Sequence, residues 1–189
     1  MNEVDRLQSD LSYVRDAVQE VDKGGAPYGI YFLWAVIVLA GFALVDFAPR
    51  WLSLYWGIAG PAGGIFTGWI SYRAARRAGE EDRREGIRHA LHWTAMFVAI
   101  ALIVVLAVLG KITWDGLSVT ILVVIALGYF LAGVHLERPL MWLGLLMAAG
   151  YPFVLLVPIY PWTLLGLLVA VGMVATGLIV RRGRVVQQG

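Results

Sequence analysis

The sequence predicts an all-α integral membrane protein, in which six transmembrane helices form three antiparallel hairpins after a cytoplasmic amphipathic helix. Of the 189 residues, 60% are hydrophobic and only 15% are charged, whereas a soluble domain has about 25% charged residues. The charged residues are gathered in short groups, and long uncharged stretches separate these groups. An apolar heptad repeat precedes the first of these stretches. Together these three observations favour a polytopic membrane protein with a helical N-terminal segment.

The segment 1–23 is predicted to be an amphipathic, coiled-coil-like helix on the cytoplasmic side. It has six acidic and three basic side chains, a charge unsuited to the anionic inner leaflet, which attracts lysine and arginine. We therefore expect its apolar seam to bind protein: another copy, the chain's own basic loop or a cytoplasmic partner. The seam residues, spaced alternately by three and four positions, are Val4, Leu7, Leu11, Val14, Val18 and Val21.

A six-helix transmembrane domain is predicted over 28–182. Gly24 and Gly25 end the first helix and Pro27 suits the first turn of the next, which makes 24–27 a linker. Residues 183–189 form a cytoplasmic tail. Each span has about 20 residues, which at 1.5 Å per residue crosses about 30 Å of hydrocarbon. The predicted spans are 28–48, 52–72, 90–109, 114–136, 139–157 and 161–180.

Lysine and arginine set the predicted orientation. Thirteen of the 15 lie on one side of the predicted topology, and only Arg50 and Lys111 lie on the other. The positive-inside rule then places both termini in the cytoplasm, in the inner membrane of a bacterium. Because the arginines lie at span ends, the pI near 9.0 does not indicate a nucleic-acid partner.

The longest loop, 73–89, is a candidate docking surface with six arginines and four acidic residues. We expect the second and third helices to project into the cytoplasm, with a break near Gly79. The alternative interpretation is a solvated loop that only obeys the charge rule. The partner-binding candidates in this loop, whose charge complements the acidic N-terminal helix, are Arg76, Arg77, Arg83 and Arg84.

The second span contains the sequence GPAGGIFTG. Gly60, Gly64 and Gly68 form two overlapping small-xxx-small steps. Glycine lets membrane helices approach closely, so this pattern predicts tight packing, either inside the bundle or between copies. A pore-lining or ligand-binding role is the alternative.

The three histidines are candidate ligands for haem or a divalent metal ion. His89 and His92 lie near the start of the third span, and His135 lies at the end of the fourth. An antiparallel hairpin would bring all three to the cytoplasmic edge, and imidazole binds zinc, iron and haem. The alternative is interface histidines that bond to backbone, water or lipid headgroups. No other cofactor is predicted, and the absence of cysteine excludes thiolate sites.

An enzyme is not predicted, because the sequence has no catalytic serine motif, phosphate loop, zinc-protease signature or paired carboxylates. Asp46, near an outer span end, lies four residues before Arg50, which predicts an ion pair. The favoured function is a non-enzymatic membrane subunit that self-assembles, or docks a cytoplasmic protein, in a larger membrane complex. Compact size and thin glycine faces support a small-solute channel or substrate-binding transporter subunit as an alternative. The histidines support a haem- or metal-binding protein as another.

Overall fold

The computed structural model describes residues 27–78 and 83–186, with side chains except at positions 75, 77, 78, 83–85, 115 and 182–186. The predicted heptad helix 1–23 and the break near Gly79 lie outside the described residues. Within the described ranges the chain is helical and contains no strand. The helices are α1 (Tyr28–Phe47), α2 (Leu52–Ala78), α3 (Arg83–Val108), α4 (Trp114–His135), α5 (Arg138–Leu156) and α6 (Pro161–Val186).

Five of the described helices are long and apolar enough to cross a membrane. Their membrane segments are Tyr28–Phe47, Gly86–Val108, Gly116–His135, Arg138–Leu156 and Pro161–Arg181. The exception is α2, in which five glycines, a proline and polar side chains lower the mean hydropathy. The helical membrane class is therefore supported by the structure, and the sixth span stays a prediction.

Prolines and one threonine cap mark the helix ends. Pro27 precedes α1, and Pro49 begins a 3-10 turn, Pro49–Trp51, that joins α1 to α2. Pro161 opens α6, in a position where its missing N–H costs no helical hydrogen bond. The side chain of Thr113 accepts a hydrogen bond from the backbone N–H of Gly116 at 3.1 Å, and so caps α4.

The buried core lies among α1, α4, α5 and α6. The most extensive helix contacts are between α1 and α6 and between α4 and α5, and α5 also packs on α6. α2 packs on α1, and α3 packs on α4. The predicted hairpin partners are therefore neighbours, but the two largest contacts join other pairs. The largest side chains of this core that are almost completely buried are Leu122, Met147, Leu165, Val169 and Met173.

Glycine allows the close approach of the core helices at both large contacts. A Cβ added to Gly144 in α5 would collide with the backbone of Phe130 in α4. A Cβ at Gly166 in α6 would lie 2.6 Å from Cβ of Phe42 in α1. Small residues at these positions let the helices pack backbone to backbone.

Asp46 does not form the ion pair expected with Arg50. Its carboxylate accepts two hydrogen bonds from Thr163, one from the backbone N–H and one from the hydroxyl, both at 2.7 Å. The guanidinium of Arg50 lies instead over the ring of Trp51, at 5.7 Å. The 3-10 turn that Pro49 begins interrupts α1 before Arg50, so the two side chains are not one regular helical turn apart.

Candidate functional site

The helix ends that carry Arg73, Arg88, Arg138 and Arg181 lie at one end of the fold, which we call the arginine-rich end. A polar cluster at this end joins three parts of the fold. Glu137, in the turn between α4 and α5, accepts a hydrogen bond from the hydroxyl of Tyr31 in α1 at 2.7 Å. Its other carboxylate oxygen lies 3.4 Å from Nε2 of His89 in α3. The Glu137 side chain is only 10% exposed. Tyr31, His89 and Glu137, the Glu137 cluster, thus tie α1 and α3 to the α4–α5 turn.

The three histidines lie at the same end of the fold but do not converge on one point. Nε2 of His92 lies 3.0 Å from the carbonyl oxygen of Gly128 in α4. His89 faces Glu137, and the backbone carbonyl of His135 accepts a hydrogen bond from Arg88 at 2.8 Å. Among the described residues, no three histidine or acidic side chains are grouped so that they could hold a metal ion. All three histidines lie near the contact between α3 and α4, but His89 and His92 have different partners.

The three predicted small-xxx-small residues, Gly60, Gly64 and Gly68, lie together with Gly57 on one side of α2, which we call the glycine face. Gly57 and Gly68 are exposed, Gly64 is half-buried and Gly60 is buried. A Cβ added to any of these four glycines would have no atom of another helix within 4 Å. The described part of the chain therefore does not provide the tight packing inside the bundle that the sequence allowed. Packing between copies stays a prediction.

A neighbouring face of α2 carries the contact with α1. The indole N–H of Trp34 donates to the hydroxyl of Thr67 at 2.9 Å, and the hydroxyl of Tyr55 donates to the carbonyl of Ile37 at 2.7 Å. These polar contacts hold α2 to one side of the core and leave the glycine face uncovered by α1.

The last turns of α2 carry two aromatic rings and two arginines on one side. The guanidinium carbon of Arg73 lies 4.5 Å from the centre of the Trp69 ring, and that of Arg76 lies 5.6 Å from the Tyr72 ring. The four side chains line a surface groove of about 350 Å³. Arg76 is thus an exposed residue of this groove. The side chains of the other predicted partner-binding arginines, Arg77, Arg83 and Arg84, are not described, and the heptad seam lies outside the described residues.

The groove was not predicted from the sequence. The spacing that could have indicated it, on one side of a helix, is that of Trp69, Tyr72, Arg73 and Arg76. The bond between Tyr31 and Glu137 was also not predicted, and no local spacing could reveal it because the residues are 106 positions apart. The described geometry therefore presents one polar cluster that links helices and two exposed faces on α2. Comparison with protein-family models, with curated proteins and with solved structures found no match to this chain.

Proposed function

We propose that this chain is a non-enzymatic membrane subunit that assembles with copies of itself through the glycine face of α2. One observation carries the proposal: a Cβ at Gly57, Gly60, Gly64 or Gly68 would meet no neighbouring helix. Helices in lipid associate through close backbone contact, which a row of glycines permits. A second copy of α2 placed on this face would supply the missing contact.

The composition of α2 supports this use of the glycine face. Each glycine in a helix interior costs about 1 kcal/mol of helix propensity relative to alanine, with no gain if the face only touches lipid tails. Ser53 and Ser71 are exposed, and their positions continue the same face toward both ends of the helix. Small and hydroxyl-bearing residues on one face are typical of contacts between membrane helices.

A second part of the proposal concerns the cytoplasmic side. We infer that the heptad helix 1–23 docks on protein, either on another copy or on a cytoplasmic partner, and that the arginines of the 73–89 loop contribute. The support is charge complementarity, since the heptad segment has six acidic and three basic side chains and the loop has six arginines. Docking of this kind requires no catalytic residue in either segment.

The test of self-assembly compares Gly64→Leu with Gly29→Leu. Both positions have open space around an added Cβ, so neither variant should disturb the fold of one protomer. Gly64→Leu, however, places a bulky side chain on the proposed contact. The measurements are cross-linking in native membranes, native mass in detergent and the unfolding temperature.

We expect wild type and Gly29→Leu to be oligomeric, and Gly64→Leu to dissociate with its far-UV circular dichroism spectrum unchanged. A wild-type chain that is monomeric in native membranes would contradict the proposal. So would a Gly64→Leu variant whose oligomer is as large and as stable as that of the wild type.

A further inference from the structure

We propose that the groove at the arginine-rich end of α2 binds the headgroup of an anionic phospholipid. The binding residues are Trp69, Tyr72, Arg73 and Arg76. The inference rests on α2 crossing the membrane, as the sequence predicts, but not on self-assembly. Gly64 and Trp69 are five positions apart, which separates their directions by about 140° around the helix. The groove and the glycine face therefore point in different directions and meet only at their border, where Gly68 and Tyr72 are four positions apart.

The four residues are arranged to receive a phosphate. Their spacing of i, i+3, i+4 and i+7 puts them on one side of the helix. The two rings lie under the two guanidinium groups, at 4.5 and 5.6 Å. A guanidinium that stacks on a ring is positioned by the cation–π attraction, and it still presents its N–H edge for paired hydrogen bonds to phosphate oxygens.

Two other arginines at the arginine-rich end, Arg88 and Arg181, each contact a second helix. Arg88 donates from α3 to the carbonyl of His135 in α4. Arg181 of α6 lies over the ring of Tyr28 in α1, at 5.8 Å. Both of these arginines join two helices, whereas the described contacts of Arg73 and Arg76 are with rings of their own helix. Their side chains are exposed, so their charge faces the surroundings of the protein.

The surface on this side of α2 also matches a phospholipid along its length, because exposed apolar side chains continue from the charged groove. Ile58 and Ile65 lie on this side at the helical spacing that leads to Trp69, and they are 62% and 74% exposed. Ile58 and Trp69 are eleven positions apart, or about 16 Å along the axis. One leaflet contributes about 15 Å of hydrocarbon. An acyl chain can therefore lie along the isoleucines while Trp69 and Tyr72 occupy the interfacial belt, where such rings prefer to lie.

The occupant is a lipid, and not a free anion, because the apolar part of this surface continues directly from the groove. Two arginines favour an anionic headgroup over a zwitterionic one, since no ammonium group of the headgroup then opposes the guanidinium charges. We therefore expect preference for phosphatidylglycerol or a chemically similar lipid over phosphatidylcholine.

The test uses the full chain, delipidated in detergent and titrated with phosphatidylglycerol, phosphatidylcholine or inorganic phosphate while native mass spectrometry counts bound molecules. The test variant is Arg73→Gln with Arg76→Gln. The matched control is Arg138→Gln with Arg182→Gln, which removes two positive charges from the same end of the sequence pattern without touching the contact of Arg181 with Tyr28. A third variant, Trp69→Leu, keeps an apolar side chain but removes the ring.

We expect the wild type and the matched control to bind phosphatidylglycerol at least about tenfold more tightly than phosphatidylcholine. The test variant should lose that preference, and Trp69→Leu should lose part of it. Equal losses in the test and control variants would show diffuse charge attraction and overturn the site. Displacement of the lipid by millimolar inorganic phosphate would show a free-anion site instead. Because the glycine face is untouched, oligomer size should be the same in all four proteins.

Discussion

Gly63 and Gly64 are adjacent in α2, but only Gly63 faces α1. A Cβ on Gly63 would lie 2.9 Å from Cδ1 of Ile37 and 3.2 Å from the Trp34 ring, whereas one on Gly64 would meet no atom within 4 Å. Gly63 therefore belongs to the packing of α2 within one protomer, and Gly64 belongs to the proposed contact between copies.

Gly63→Leu should destabilise the protomer itself. The larger side chain must displace Ile37 and Trp34, and such overpacking costs about 1–3 kcal/mol. Thermal unfolding in detergent, followed by circular dichroism, checks this, with Gly64→Leu measured under dissociating conditions as the control. An unfolding temperature of Gly63→Leu equal to that of Gly64→Leu would mean that α2 does not pack on α1 through this residue.

Asp46→Ala should weaken the junction of α1 and α6. The carboxylate bonds to the N–H of Thr163 in the first turn of α6, so it stabilises that helix as an N-terminal cap supplied by another helix. We expect a loss of about 1–2 kcal/mol in unfolding free energy. Asp46→Asn, which keeps a carbonyl acceptor, should lose less. Equal losses in the two variants would argue against the capping role.

Tyr31→Phe should remove a charge-assisted hydrogen bond to Glu137 and cost about 1.5–3 kcal/mol. Tyr28→Phe is the control, because the described contacts of Tyr28 involve its ring. A double-mutant cycle with Glu137→Gln measures the coupling directly, and we expect it to exceed about 0.5 kcal/mol. Strict additivity of the two substitutions would show that the hydroxyl and the carboxylate do not act together.

Single cysteines can determine whether α2 is the sixth span, because the chain has no cysteine of its own. Arg50 and Arg77 flank the predicted span 52–72, one before it and one after it. Cysteines at these two positions should react with a membrane-impermeant reagent from opposite sides, and cysteines at Asn2 and Gln187 from the cytoplasmic side. Labelling of the Asn2 and Gln187 cysteines from opposite sides would instead indicate an odd number of spans.

Replacement of Leu7, Leu11 and Val14 by serine should release the N-terminal helix from its protein contact. Each seam residue could contribute roughly 1.5–3 kcal/mol before ordering entropy is subtracted. Hydrogen exchange over 4–21 should be slow in the wild type and fast in the triple variant, while the six helices stay inserted. Fast exchange in the wild type, with assembly unchanged on mutation, would show that this helix has no partner in the purified protein.

Helix positions were largely predictable, because local chemistry determines them. The predicted spans 28–48 and 114–136 differ by one residue at the C-terminal end from α1 and α4. Long apolar stretches and prolines mark these ends along the chain itself. The longer α2 and α3 were also expected, since glutamate–arginine pairs three or four positions apart in the 73–89 loop favour helix beyond the apolar spans.

Helix partners were less predictable, because they depend on residues far apart in sequence. Short loops made successive helices neighbours, but nothing local indicated that α1 and α6 form one of the two largest contacts. For the same reason, Asp46 was assigned to nearby Arg50 when its partner is Thr163. Glycine spacing likewise predicted a close contact without specifying the face: Gly63, Gly144 and Gly166 meet other helices, whereas Gly60, Gly64 and Gly68 do not.

The contact between α1 and α6 has a consequence for the order of biosynthesis. Asp46 and Thr163 are 117 positions apart, so α1 emerges from the ribosome long before the helix that covers it. Until α6 is inserted, the α1 surface formed by Tyr31, Ala35, Val38 and Phe42 must be shielded by lipid or by the insertion machinery. The core should therefore close only after translation of the Pro161–Val186 segment, and we expect an arrested nascent chain that lacks this segment to leave that surface uncovered by α6.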